Sequence, residues 1–436
     1  MRINKLSFLL ILCVLPSLGK AQESLTLQKA VELGLQNNYS LRIARNNAEI
    51  AGNNNTIGNA GFLPSLDATL TQNNTISNSK QEFYSGDIRE RNNAESHSLN
   101  AGVTLSIPLF DGLRMFVTKD QLALFESVGQ YQMLDEMANT VAAIIGNYFS
   151  VVEMEKLMVT EQKTMVLSRE RKRIAEEKLK IGSGSKASLL QATVDLNTDS
   201  ATLISQMTNL SVLKSSLNQL LARDPEFDFI AVDDVDFLSG LTYEYLVDRL
   251  KEQNPGLIIS RFQNEIAQLD IKAVKSEMMP NIGAFGGYNY SKLNAQTGLL
   301  KSSFSSGPSY GITASINLFN GLNTQRKLQN ARLNFASQET LLTEAELSAR
   351  TGLYQAWVRY NGNLNLIALE NTNVEVARQN LEFALEKYRL GAISDLELRD
   401  IQLKLTGAES RLITARFLTK VSETELLRLS GLLLKK

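Results

Sequence analysis

The feature that most constrains this chain is that its landmarks occur twice, in the same order. Leu25-Thr26-Leu27 and Gln36 to Leu41 recur as Leu241-Thr242-Tyr243 and Glu252 to Leu257, and Pro64 recurs as Pro280, each 216 positions on. Leu109-Phe110-Asp111-Gly112 recurs as Leu318-Phe319-Asn320-Gly321, and Glu177 to Gly182 recurs as Glu386 to Gly391, both 209 positions on. The drop of seven places a shorter loop in the second half. A period this long is not that of a solenoid, so the chain is a duplicated module of about 200 residues.

Proline placement then fixes the elements. None of the seven prolines lies between Pro108 and Pro225 or after Pro308. Residues 25–60 and 242–279 have helical composition and stop at Pro64 and Pro280. After Gly112 and Gly321 helix formers continue to Gly182 and Gly391, and at 1.5 Å per residue each helix reaches about 100 Å. Asp111 and Asn320 suit the starts of those helices. Lengths of that order belong to coiled coils or tubes.

Four stretches switch to period two. Phe62, Leu66, Ala68 and Leu70 alternate with Ser65, Asp67, Thr69 and Thr71, and Leu99 to Leu109 alternate with Ser98 to Ser106. Ile282, Ala284, Tyr288 and Tyr290 oppose Asn281, Gly283, Asn289 and Ser291, while Tyr310 to Leu318 oppose Ser309 to Asn317. A half-buried antiparallel sheet in a soluble domain has this pattern. So do barrel strands with one face in lipid, and the small polar residues together with Phe110 and Phe319 at strand ends favour that reading. Four strands cannot close a barrel, and an open edge in lipid leaves polar backbone unpaired. Membrane strands would therefore require a dimer or a trimer.

The first residues read as an export signal. Arg2 and Lys5 precede an apolar stretch, Leu6 to Leu15, and Gly19-Lys20-Ala21 resembles a cleavage site. That stretch is too short for a spanning helix. Cys13 follows the bulky Leu12, unlike a lipidation site. Removing residues 1–21 takes away Arg2, Lys5 and Lys20 from 45 basic residues and none of the 46 acids, so the net charge falls from −1 to −4 and no cysteine remains. With one histidine (His97) and one cysteine in the whole chain, zinc clusters, a Cys-His pair and a Ser-His-Asp triad lack their residues. No phosphate loop is present, and the balanced charge offers no footprint for nucleic acid. The chain reads as a non-enzyme with no metal and no cofactor. His97 is expected in a polar loop, 73–97, and Trp357 in helix packing.

The export signal, the doubled module, the Pro-Leu-Phe-Asp-Gly and Asn-Leu-Phe-Asn-Gly junctions and the Tyr-Arg-Leu-Gly-Ala-Ile-Ser-Asp turn resemble the TolC-type outer-membrane efflux proteins. The resemblance covers essentially the whole mature chain. It implies a mostly α fold with a small β part, as a homotrimer whose α-barrel continues into a twelve-stranded outer-membrane β-barrel. The domains become a signal (1–21), a first repeat (22–222, strands about 62–72 and 98–109, helical hairpin about 112–222), a linker (223–240) and a second repeat (241–436, strands about 281–291 and 309–319, hairpin about 321–430). The implied function is a passive exit duct for efflux or type I secretion, spanning from the outer membrane into the periplasm and joined to an inner-membrane pump by a periplasmic adaptor. A secreted coiled-coil scaffold or adhesin is the competing reading.

The same resemblance assigns residues. The turns Gly182-Ser183-Gly184-Ser185 and Gly391-Ala392-Ile393-Ser394 become the periplasmic tip that meets the adaptor, although chain reversal alone explains their glycines. Tyr388 matches a latch tyrosine, but Ile393 and Ser188 stand where the latch arginine and aspartate would be. Glu397 and Asp400 match the acids of a pore constriction; acids near a helix start, with Asp395, also suit the helix dipole. Phe110, Asp111, Gly112, Phe319, Asn320 and Gly321 form the strand–helix junctions.

Overall fold

The structure is a computed structural model and describes residues 23–232, 234–238, 240–298 and 300–435. The expected export signal, with Cys13, lies outside the described residues. The chain forms two compact units that alternate along the sequence. One comprises residues up to Tyr39, Asn139–Tyr243 and Tyr354–Arg428; the other comprises Ser40–Ala138, Glu244–Leu353 and the C-terminal residues from Leu429.

The first unit is built on helices. β1 (Glu23–Leu25) pairs in parallel with β4 (Phe229–Ala231), and α1 (Leu27–Asn37) follows β1, its start capped by Thr26, which accepts from the Lys29 amide at 3.2 Å. Leu25, Ile144, Tyr148, Leu217, Leu221 and Phe229 are fully buried together. The Tyr148 hydroxyl donates to the Leu25 carbonyl at 2.8 Å, which satisfies the one polar atom of that ring inside an apolar core. Gly34 of α1 lets Ile144 approach, since a Cβ there would lie 2.1 Å from its Cδ1.

Four long helices match the expected lengths. α3 (Arg114–Lys180) and α7 (Asn323–Arg389) have 67 residues each, and α4 (Lys186–Leu220) and α8 (Asp395–Leu429) have 35 each. The initial helical segments are each broken in two, because an asparagine interrupts them: α1 ends before Asn38 and α2 (Tyr39–Asn54) follows, while α5 (Tyr243–Gln253) gives way at Asn254 to α6 (Pro255–Ser276). Both asparagines do the same work. Asn38 donates its side chain to the Leu220 carbonyl and Asn254 to the Leu429 carbonyl, each at 2.9 Å, so each satisfies a carbonyl orphaned at a helix end.

The second unit carries the sheet. β2 (Ser65–Glu82), β3 (Ile88–Asp111), β5 (Asn281–Ala295) and β6 (Ser302–Ser315) form one antiparallel sheet in the order β2-β3-β5-β6. Its register brings the four alternations into line. Leu66 lies opposite Leu105, Ala68 opposite Val103, Val103 opposite Tyr288, Ile107 opposite Ala284, and Ala284 opposite Ile312. All four apolar sets therefore share one face, and the serines, threonines, asparagines and glycines share the other. On the polar face Asn289 donates to Ser309 at 2.9 Å and Ser291 to Asn100 at 2.7 Å.

Several expected boundaries move. Residues 73–97 are not a loop: β2 and β3 continue to a turn at Phe83–Asp87, and His97 sits inside β3, with Nδ1 2.8 Å from Asn74 Oδ1. Ladder hydrogen bonds need no apolar side chains, so a ribbon polar on both faces carries no period-two signal. Phe62 precedes β2 and packs edge-on against Phe116 with ring centroids 5.0 Å apart. Leu109 is skipped in the pairing of β3 with β5, where the register shifts between Pro108 and Phe110. β6 stops at Ser315, so Ile316, Leu318 and Phe319 lie beyond the strand. Phe319 is not a strand-end aromatic, whereas Phe110 is, opposite Ile282.

Candidate functional site: the helical hairpin tips

The hairpin turns fold from short-range chemistry. Gly182 and Gly391 have φ of +77° and +74°, the left-handed region in which a glycine after a helix is favoured. Ser183 and Gly184 both donate amides to the Lys178 carbonyl at 2.9 Å, and Ala392 donates to that of Lys387 at 2.8 Å, closing the last turn of each helix. The next helices start on serines: Ser185 accepts from the Ser188 amide at 3.1 Å and Ser394 from the Glu397 amide at 3.2 Å. Gly184 is required sterically, since a Cβ there would lie 2.8 Å from that of Lys178. Its counterpart Ile393 instead packs on a small core of Ala384, Tyr388 and Leu398. The position that resemblance reserves for a latch arginine is thus an apolar plug.

Tyr388 is buried, with Lys178 4.4 Å above its ring and its hydroxyl 3.4 Å from Asp395 Oδ1 as donor. Burial, reinforced by the Asp395 charge, pushes the phenol up to about 12, so it remains a neutral donor. Asp395 is more than a helix-start acid. Arg171 of α3, 1% exposed, places Nε 3.0 Å and Nη2 2.6 Å from the two Asp395 oxygens, and Nη2 also reaches Asp195 of α4 at 3.1 Å. One turn along α8, Arg399 grips Asp199 of α4 at 2.6 and 3.0 Å, and Ser168 donates to the same carboxylate at 2.5 Å. These bidentate contacts tie α8 to both α3 and α4. Glu161, also buried, has its pKa raised by desolvation first and by Asp199 second.

Resemblance did not mark this network. Its sequence traces are slight: Asp195 and Asp199, the two acidic residues of α4, lie i,i+4 apart, and Asp395 with Arg399 repeats that spacing.

Glu397 and Asp400 do share one exposed face of α8, behind which Leu398 is fully buried. Asp400 also pairs with Lys404 at 2.7 Å. At the junctions, Asp111 accepts from the Met115 amide at 3.2 Å and Asn320 from that of Thr324 at 3.4 Å. They reach four residues forward because Gly112-Leu113 and Gly321-Leu322 all take positive φ before the helices begin. Gly112 could not be replaced, as a Cβ would fall 2.4 Å from the Ser276 carbonyl oxygen. Among the described residues no helix is long and apolar enough to cross a membrane, and no cluster of His, Cys, Asp or Glu has metal-binding geometry.

Comparison with known proteins agrees with this architecture. The chain is 20% identical over 416 residues to the outer membrane efflux protein BepC of Brucella suis biovar 1 (strain 1330), covering 95% of this chain and 87% of that protein. Its fold is similar to a membrane protein from Pseudomonas aeruginosa, with a TM-score of 0.79 at 17% identity, covering 94% of this chain and 91% of the other. It is also similar to the CmeC outer membrane channel of Campylobacter jejuni, with a TM-score of 0.78 at 16% identity, covering 93% of this chain and 85% of that one. A family model described as outer membrane efflux protein matches residues 30–223 and 246–432, one segment for each repeat. The chain belongs to the outer membrane efflux protein family.

Proposed function

We propose that three copies of this outer-membrane efflux protein close one twelve-stranded barrel, and that the resulting duct receives its cargo from an inner-membrane pump through a periplasmic adaptor. The observation that carries the proposal is the sheet itself. It has one apolar face, one polar face and two unpaired edges, β2 and β6. In lipid each unpaired backbone group costs several kcal/mol, so the edges must pair with other copies. The helices point the same way: Leu333, Leu341 and Leu347, and further along Val376 and Phe383, are exposed on α7 in the single chain, as an interface between copies would leave them.

The tip then has a defined part to play. Residues 182–185 and 391–394 form the surface offered to the adaptor. The ties of Arg171 and Arg399 hold the second hairpin against the first in place of the missing latch arginine, with Tyr388 as their neutral member. Glu397 and Asp400 line the narrowest opening with carboxylates, and Lys404 offsets part of that charge.

The competing reading, a water-soluble coiled-coil scaffold, predicts that the apolar sheet face is covered within a soluble molecule. Fractionation separates the two. The duct requires a heat-sensitive trimer in outer-membrane fractions that needs detergent to stay dispersed. A monodisperse monomer in detergent-free buffer would refute it.

A further inference from the structure

The polar face of the sheet has one exception to its chemistry. Phe285 lies on it, in register with Ser106 on β3 and Gly311 on β6, and no other aromatic side chain lies on that face of the paired strands among the described residues. Its neighbours along and across the strands carry little side chain. The neighbours at i−2 and i+2 are Gly283 and Gly287, which offer no side chain to pack against. Gly311 offers none either; a Cβ there would be 3.0 Å from the ring's Cε1 and Cζ, so the ring edge lies directly over that glycine. The side chain remains 39% exposed, and it borders a hollow of about 530 Å³ that also touches Ser65, Ser106, Thr313, Gly283 and Leu63. Hollows of about 300–1,000 Å³ with an apolar wall and a few polar groups are the size that holds drug-like molecules.

We infer that Phe285 is a solute-contacting residue of the duct, presenting its ring to flat aromatic groups of exported molecules where the β-barrel begins. The inference rests on the proposal that the polar face lines a water-filled lumen. In a trimer the ring would recur on each copy, an aromatic step on a wall otherwise made of hydroxyls, amides and glycine. Serine, threonine and glycine pass a flat solute without discriminating. Offset or edge-on contact with a phenyl ring favours an aromatic solute, and more so a cationic one.

The test is current block of the purified full-length mature protein in planar bilayers, with two monovalent organic cations: ethidium, flat and aromatic, and tetrabutylammonium, apolar but not flat. The readout is the ratio of their blocking constants within one variant. In Phe285→Ser, ethidium block should weaken by about two- to tenfold relative to tetrabutylammonium, the range expected for one lost aromatic contact, and Phe285→Tyr should restore it. An unaltered ratio in Phe285→Ser, or a loss that Phe285→Tyr fails to restore, overturns the inference. Should the serine variant fail to insert, Phe285→Trp supplies a second readout, taken as the difference from the wild type because Trp357 also emits. Quenching of that added emission by ethidium and by aqueous iodide is expected, and its absence overturns the contact. Quenching by brominated lipid instead would put the ring in the membrane, contradicting the assignment of the lumen face, and the duct with it.

Discussion

Arg171 joins three helices near the hairpin turns. It is 1% exposed and divides its charge between carboxylates on two different helices, Asp195 and Asp395. Removing Asp395 leaves Asp195 as the one carboxylate on this buried guanidinium, so its charge is compensated less well and the hairpin end is destabilised. Asp395→Asn should therefore speed proteolysis of both turns, near residues 182 and 391, without dispersing the assembly. Arg173, two residues away, is 55% exposed and pairs with Glu170 and Glu177, and water screens such exposed pairs so that they add little to stability. Glu170→Gln should leave the cleavage rate as it was; equal acceleration by both variants would remove the network's special standing. The proposed place of Glu397 and Asp400 at the narrowest opening makes a different demand. Like charges crowded round an opening favour cations and are blocked by multivalent ones, and acids near a helix start contribute at most about 1 kcal/mol to stability. The double variant Glu397→Ala/Asp400→Ala should lower cation selectivity and relieve trivalent-cation block in single-channel recordings while folding normally. Lys404→Ala, which frees Asp400, should strengthen the block. Unaltered recordings in both variants would return these acids to a solvated helix face.

At the scale of elements, the sheet makes the sharpest demand. Leu105 and Thr104 are adjacent on β3 and face opposite ways, Leu105 toward Leu66 and Gly286, Thr104 toward Asp67 and Gly287. A charge on the lipid face near the midplane costs about 2–4 kcal/mol, whereas a lumen residue tolerates it. Leu105→Arg should reduce the yield of inserted trimer and Thr104→Arg should not; equal tolerance would mean the faces are wrongly assigned. These faces were legible because Leu66, Val103, Tyr288 and Ile312 carry a period-two signal. The outer ribbon from Asn73 to His97 was not, since both of its sides are polar and only backbone pairing makes it a strand. The long helices were legible from the spacing of prolines and of Gly182 and Gly391, which must turn the chain with positive φ. The ion network escaped because Arg171, Asp195 and Asp395 lie on three elements, and no local pattern states which helix will face which. Ile393 shows the same limit from the other side: it departs from the expected arginine, and only its packing against Tyr388 shows what replaces it.

At the scale of the molecule, the duplication and the open sheet lead to one claim. The two repeats end alike, with Asn38 bound to the Leu220 carbonyl and Asn254 to that of Leu429, but the sheet they share stays open at β2 and β6. Removal of residues 1–21 leaves a chain without cysteine, so introduced thiols can pair only with each other. Leu66 and Leu70 on β2, and Tyr310 and Ile312 on β6, lie on the same face at opposite edges. Neighbouring strands are about 4.8 Å apart, so β2 and β6 of one chain lie beyond the roughly 7 Å that a disulfide can bridge between Cα atoms. The decisive measurement is oxidation of a small panel of double variants, one cysteine on each edge, stepped through the possible registers in native outer membranes. A barrel closed by three copies should give, at one register, covalent trimers on non-reducing gels that revert to monomer on reduction. Monomers throughout the panel, or linkage that stops at dimers, would contradict a barrel closed by three copies.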